Sequence, residues 1–150
     1  EEVKKNWEQI KLTERGATVN ESPVSNRLRQ EIRSQPAISS AMTISKKVAK
    51  EGFDWDNVEG IWGKVDEELK ELKDALSANN LSGAEDELGD VIFTLINIAR
   101  WFKLSPEEGL AGTNKRFLDR FSYIESTIKG EFANHSVNEM QKLWQAAKKK

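Results

Sequence analysis

Acidic residues at helical spacing are the feature of this chain with the clearest chemical potential. They form two clusters, Glu67-Glu68-x-x-Glu71 and Glu87-x-x-Asp90, each inside a stretch of helical apolar periodicity. Residues three apart share one side of a helix, so each cluster aims a pair of carboxylates in one direction. Aligned carboxylates repel one another unless a cation offsets the charge, and all-oxygen ligand sets select Mg²⁺ or Mn²⁺. The chain has no cysteine, and its single histidine, His135, lies outside the helices that carry the acids. Zinc and ferritin-like di-iron sites, which call for thiolate or imidazole ligands, are poor matches. The competing reading of either cluster is a solvated helix face, as most charged runs are.

The elements that must position these acids are legible as helices. A first helix is predicted from about Ala37 to Glu51, closed by Gly52 in a left-handed cap. Asp54 or Asp56 can cap a second, whose stripe is Val58, Ile61, Trp62, Val65, Leu69, Leu72 and Leu76. Asn79-Asn80-Leu81 make a turn, and Ser82-x-x-Glu85 reads as a capping box opening a third helix, Gly83 to about Lys103. On the helical wheel Glu68 borders the apolar stripe, Glu71 lies on the side of Lys64, and Glu67 faces solvent. Glu87 and Asp90 share a side with Val91, Thr94 and Ile98. The pairs 68/71 and 87/90 are symmetric about position 79, so an antiparallel hairpin brings four acids to one level. Helix axes ~8–10 Å apart leave room there for a hydrated divalent ion.

The third helix is apolar nearly all round toward its C-terminal end, with Phe93 and Trp101 off the main stripe. Such a helix is buried centrally or at a subunit interface. Ser105-Pro106-Glu107-Glu108 starts a fourth helix that carries Phe117, Leu118, Phe121, Ile124 and Ile128 and stops near Gly130. A last amphipathic segment begins at Val137 with Met140, Leu143 and Trp144 on one side. Upstream, residues 1–15 predict a charged helix around Trp7, Ile10 and Leu12, and residues 16–36 a mobile loop with a short helix about Asn26–Arg33. The expectation is an all-α fold, an antiparallel four-helix bundle with additional N- and C-terminal helices. It divides into an N-terminal helix and loop over 1–36 and a helical domain over 37–150.

Composition narrows the function. A net charge of −2 gives no basic excess to attract nucleic acid, and no apolar run is long enough to span a membrane. The lack of cysteine points to the cytoplasm. A start on Glu1, within a charged helical pattern, is expected of a piece of a longer protein. No GxxxxGK[ST] loop is present, so any phosphate must be held by side chains and metal. Arg116 and Arg120, one turn apart beside Asn114 and Lys115, suit that role, because guanidinium binds phosphate oxygens bidentately; their plainer reading is a solvated basic face. Trp144 and Lys148 repeat the spacing: an indole for a base and an ammonium for phosphate, or a core tryptophan pinning the last segment.

With these motifs in hand, the chain resembles the MazG-type nucleoside triphosphate pyrophosphohydrolases of the all-α superfamily, and most closely the C-terminal of their two tandem domains. The resemblance runs through Trp7-Glu8-x-Ile10-Lys11, Gly52-Phe53-Asp54-Trp55, Lys64-Val65-x-Glu67-Glu68-x-x-Glu71 and Glu87-x-Gly89-Asp90. It continues in Asn97-x-Ala99-Arg100, Asn114-x-Arg116-Phe117-x-x-Arg120-Phe121 and Met140-x-x-Leu143-Trp144. It implies Mg²⁺ ligands at Glu68, Glu71, Glu87 and Asp90, with Glu67 completing the motif. It further implies phosphate contacts from Lys64, Arg116 and Arg120, with Asn114, Trp144 and Lys148 as the remaining substrate-binding positions. Two departures stand out: Arg116 takes a place that is commonly lysine, and the helix before Gly52 reads Ala41-Met42-Thr43-Ile44-Ser45-Lys46, where relatives more often carry a lysine and a glutamine near Thr43 and Ser45. The reaction implied is hydrolysis of a nucleoside triphosphate to monophosphate and pyrophosphate by attack on the α-phosphorus, with a house-cleaning role, in a homodimer. The alternatives are a non-catalytic helical interaction module, or a pyrophosphatase narrowed to dUTP or modified nucleotides.

Overall fold

The computed structural model describes residues 22–150, so the helix expected over residues 1–15 lies outside the described residues. Among those described, all regular structure is helical, with six α-helices and two 3₁₀ turns. The chain divides into two compact units, one ending at Leu104 and the other spanning Ser105–Lys150. The first holds α1 (Pro23–Glu31), a 3₁₀ turn (Ile32–Ser34), α2 (Ala37–Lys50), α3 (Val58–Ser77) and α4 (Leu81–Trp101). The second holds α5 (Pro106–Thr127), a 3₁₀ turn (Phe132–Asn134) and α6 (Val137–Lys148). Three of the four helices expected of the bundle therefore fall in the first unit, and the fourth, α5, in the second.

The dominant packing of the first unit is the α3–α4 hairpin, onto which α2 packs through α4. Its centre is Ile61, fully buried, with Val65 and Ile98, against which Val58 and Trp101 pack. Not all of the predicted stripe is covered. Trp62, Leu69 and Leu76 of α3, and Leu88, Ile92 and Leu95 of α4, remain exposed, while Val91, Ile96, Ile98 and Ala99 are buried. In the second unit α5 packs on α6 around Ile124, Ile128 and Ala147, with Tyr123, Phe132, Met140, Leu143 and Trp144 partly buried against them.

Helix ends follow local polar chemistry, in two places differently from expectation. α3 is capped by Asn57, whose side chain accepts from the Gly60 N–H at 3.0 Å. Neither Asp54 nor Asp56 is the cap, and Asp54 is engaged by Arg100 and by the Trp55 N–H at 2.8 Å. α4 opens before the predicted box: Asn80 accepts from the Gly83 N–H at 3.1 Å, and Ser82 does not cap. A Cβ at position 83 would fall 2.3 Å from Asn80 Nδ2, so any larger residue there would make the capping amide shift. Asn79, at φ +54°, completes the turn, a conformation asparagine tolerates better than most residues. Two expectations hold: Ser105 caps α5 through the Glu108 N–H at 3.2 Å, and Gly52, at φ +98°, ends α2. There the Gly52 and Phe53 N–H groups return to the Ala49 and Val48 carbonyls at 3.0 and 2.9 Å.

Because Ile61 is fully enclosed by the hairpin, Ile61→Ala should lower unfolding stability by about 2–5 kcal/mol. Leu81→Ala, at an exposed site, should shift it by far less; urea denaturation followed by circular dichroism measures both.

Candidate metal centre and phosphate-binding cations

The hairpin brings three acids of the two clusters together. One carboxylate oxygen each from Glu68 and Glu71 on α3 and Glu87 on α4 lie within 4.8 Å of one another. Glu68 is buried, at 4% exposure, because its place beside Val65 turns it into the α3–α4 seam. Lys64, one turn earlier, donates to Glu68 Oε1 at 2.8 Å and to Glu67 Oε1 at 3.3 Å. Glu67 is exposed, as the wheel predicts, and stands outside the three-acid group. Asp90 also stands outside it, exposed one turn beyond Glu87, although it lines the same cavity as Glu68.

Charge in this cluster is unevenly compensated. The Lys64 ammonium holds the Glu68 carboxyl below the usual range against the burial that would raise it. Reciprocally, Glu68 and Glu67 hold Lys64 protonated well above the ordinary lysine value. Glu87 has no cationic neighbour of this kind: burial and the adjacent Glu68 and Glu71 carboxylates push it up to about 7. Glu68 Oε2 and Glu87 Oε2 are buried without a hydrogen-bond partner. Buried polar atoms are rarely left unpaired, and two orphaned oxygens of like charge in one spot suit a hard cation. The donor set therefore fits a divalent metal ion.

Next to the acids lies a cavity of about 480 Å³, lined by Lys64, Glu68 and Asp90 toward one side and by Ser45, Asn97 and Arg100 among others. Its size suits a small-molecule ligand. Phe53, Asp54 and Trp55 also line it. No role was predicted for these residues from their types alone. Their signal lay in the Gly52-Phe53-Asp54-Trp55 and Asn97-x-Ala99-Arg100 motifs, whose meaning requires α2, α4 and the loop between α2 and α3 to meet.

In the second unit, Arg116, Arg120 and Lys148 line one shallow cleft of about 220 Å³ with Lys150, Tyr123 and Asp119. Asp119, the acid lining that cleft, is paired with Lys115 at 2.8 Å. Arg116 bonds Thr113 Oγ1 at 3.2 Å, and Asn114 is exposed on the same helix. Trp144 packs on Phe117 at 5.1 Å between ring centroids, and the Arg120 guanidinium lies 5.5 Å over its indole. That contact orders Arg120 through a cation–π interaction and ties Trp144 into the α5–α6 core.

The helical fold and the acidic centre in its hairpin can be set beside known proteins. The sequence profile of the phosphoribosyl-ATP pyrophosphohydrolase family matches residues 26–117. The chain belongs to that family, and the MazG-type resemblance read from its motifs holds. It is similar to the nucleoside triphosphate pyrophosphohydrolase/pyrophosphatase MazG of Thermotoga maritima, 33% identical over 147 residues, covering 96% of this chain and 54% of that protein. The nucleoside triphosphate pyrophosphohydrolase of Escherichia coli K12 is 30% identical over 155 residues, covering 99% and 57% respectively. An uncharacterized protein of Bacillus subtilis, YabN, is 51% identical over 65 residues, 41% of this chain and 13% of its own length. The chain thus spans about half the length of the two pyrophosphohydrolases.

The position of Glu87 has a consequence for stability. A carboxyl with a folded pKa near 7 favours folding while protonated; that contribution is complete below its ordinary value of 4.5 and is lost as pH rises through about 7. With divalent cations removed by chelation, Glu87→Gln should therefore melt above the wild type at pH 8.5 and together with it at pH 4. Thermal melts at the two pH values measure the difference.

Proposed function

We infer that the chain hydrolyses nucleoside triphosphates to the monophosphate and pyrophosphate in a Mg²⁺-dependent reaction, as part of nucleotide-pool house-cleaning. The observation that carries this is the pair of orphaned oxygens on Glu68 and Glu87, set beside an open cavity of nucleotide-binding size. Two of the relatives agree with it: the Thermotoga maritima and Escherichia coli proteins, both named nucleoside triphosphate pyrophosphohydrolases, match nearly all of this chain.

In this reading Glu68, Glu71 and Glu87 hold Mg²⁺ or Mn²⁺, with Asp90 as the fourth ligand and Glu67 retaining Lys64 at the rim. A bound divalent ion would neutralise phosphate charge and lower the pKa of a coordinated water. Lys64 keeps Glu68 ionised and ready to ligate. Such a divalent ion would also offset the repulsion from Glu68 and Glu71 that raises Glu87, and so hold its carboxyl ionised. Arg116, Arg120 and Lys148 supply positive charge for the leaving pyrophosphate, with Asn114 and Trp144 completing substrate contact. The exposed apolar rows of α3 and α4 support a homodimer within a four-helix bundle arrangement, since such surface is seldom left in water. The lack of cysteine is in keeping with the cytoplasm, and no helix among the described residues is long and apolar enough to cross a membrane.

Glu68→Ala should abolish Mn²⁺ binding by calorimetry and lower pyrophosphate release ~100-fold or more while the helical signal persists. Full activity in that variant would remove the metal centre from the mechanism. Arg120→Ala should raise KM and lower kcat together, about tenfold in kcat/KM. A chain that binds neither Mg²⁺ nor a non-hydrolysable nucleotide would instead be an interaction module.

A further inference from the structure

The cavity beside the acids has a polar end that phosphate chemistry does not use. Arg100 on α4 grips Asp54 with both terminal nitrogens, Nη1 at 3.1 Å and Nη2 at 2.5 Å, and donates from Nε to Ser45 Oγ on α2 at 2.7 Å. A guanidinium only donates, so the serine oxygen accepts there and its one proton goes elsewhere. Ser45 Oγ gives that proton to Asn97 Oδ1, 2.5 Å away, in a short hydrogen bond. The direction of this relay sets the amide: Oδ1 of Asn97 is taken by Ser45, and its NH₂ donors are the end left for a ligand.

One turn earlier on α4, Thr94 has committed its hydroxyl proton to the Asp90 carbonyl at 2.8 Å, so toward a ligand its oxygen can only accept. Both oxygens of Asp54 are occupied by Arg100. The cavity thus offers a donor at Asn97 and an acceptor at Thr94, three residues apart on one helix face. Phe53, 81% exposed, and Phe93 line the same cavity and give apolar rings on which a flat heterocycle can stack.

Resting on the nucleotide reading above, we propose that this end of the cavity reads the base, and selects bases with a lactam –CO–NH– edge over their amino counterparts. A 4-oxopyrimidine or 6-oxopurine accepts from Asn97 through its carbonyl and donates to Thr94 through its ring N–H. An amino base sets NH₂ against NH₂ and a ring lone pair against the threonine oxygen. Asn97 and Thr94 are the reading groups; Ser45 and Arg100 are positioning residues, which hold the amide in one orientation.

The test is isothermal titration of the chain with the α,β-imido analogues of UTP and CTP in Mg²⁺, alongside pyrophosphate release from UTP and CTP. The wild type should bind the uridine analogue roughly ten- to a hundredfold more tightly. Asn97→Asp should reverse the order, because a carboxylate accepts from an exocyclic amine. Ser45→Ala should shrink the ratio through the binding constants rather than kcat, and it serves as the test if Asn97→Asp does not fold. Equal wild-type affinities, no binding of either analogue, or a ratio unchanged in the folded variants would overturn the proposal. Discrimination in binding without pyrophosphate release would sink the reaction and leave the base reading standing; release without discrimination would do the reverse.

Discussion

Burying a carboxylate without a partner opposes folding, and the α3–α4 hairpin buries two such oxygens, Glu68 Oε2 and Glu87 Oε2, beside a third acid. The opposing force is the apolar contact of Ile61, Val65 and Ile98 in the same hairpin, helped by the single cation of Lys64 on Glu68. The remaining imbalance settles on Glu87, whose affinity for a proton rises as a result. A proton or a divalent cation relieves the same repulsion, so ligand binding and folding stability are linked at this one place.

The first unit sets two kinds of side chain along one helix. Glu87 and Asp90 stand toward the start of α4; Thr94, Asn97 and Arg100 come at successive turns after them. The helical period carries that side of α4 from the acids to Thr94, Asn97 and an Arg100 whose charge is paired with Asp54. α2 and the loop after it complete that end, since Ser45 and Asp54 both bond Arg100. This explains why a loop rich in exposed aromatic surface is nonetheless held in place: Gly52 turns the chain out of α2, and the Arg100–Asp54 pair fastens the loop to α4.

Much of the fold was legible because helices announce themselves in short windows. The extents of α2 and α3, the turn at Asn79, the Ser105 cap and the Gly52 stop all depend on residues within a few positions of one another. The two missed caps show the limit. Asn57 and Asn80 won over plausible neighbours because Asp54 was drawn away by Arg100, 46 positions along the chain, and because Gly83 leaves space for the Asn80 amide. The site was legible in part for the same reason: Glu68 borders a stripe, so its burial is a consequence of local periodicity. The separation of Asp90 from the three gathered acids is not, since side-chain reach at a helix seam depends on what packs around it.

From residue types and spacing alone came the helical class, the oxygen-only ligand set and the pairing of two acidic clusters across a turn, because each is a property of neighbours in sequence. Tertiary structure alone decided which carboxylate oxygens lose their water, which lysine compensates them, and that Ser45, Asp54, Asn97 and Arg100 form one connected relay. Those outcomes turn on desolvation and on hydrogen bonds between residues tens of positions apart, and neither exists until α2, α3 and α4 have packed.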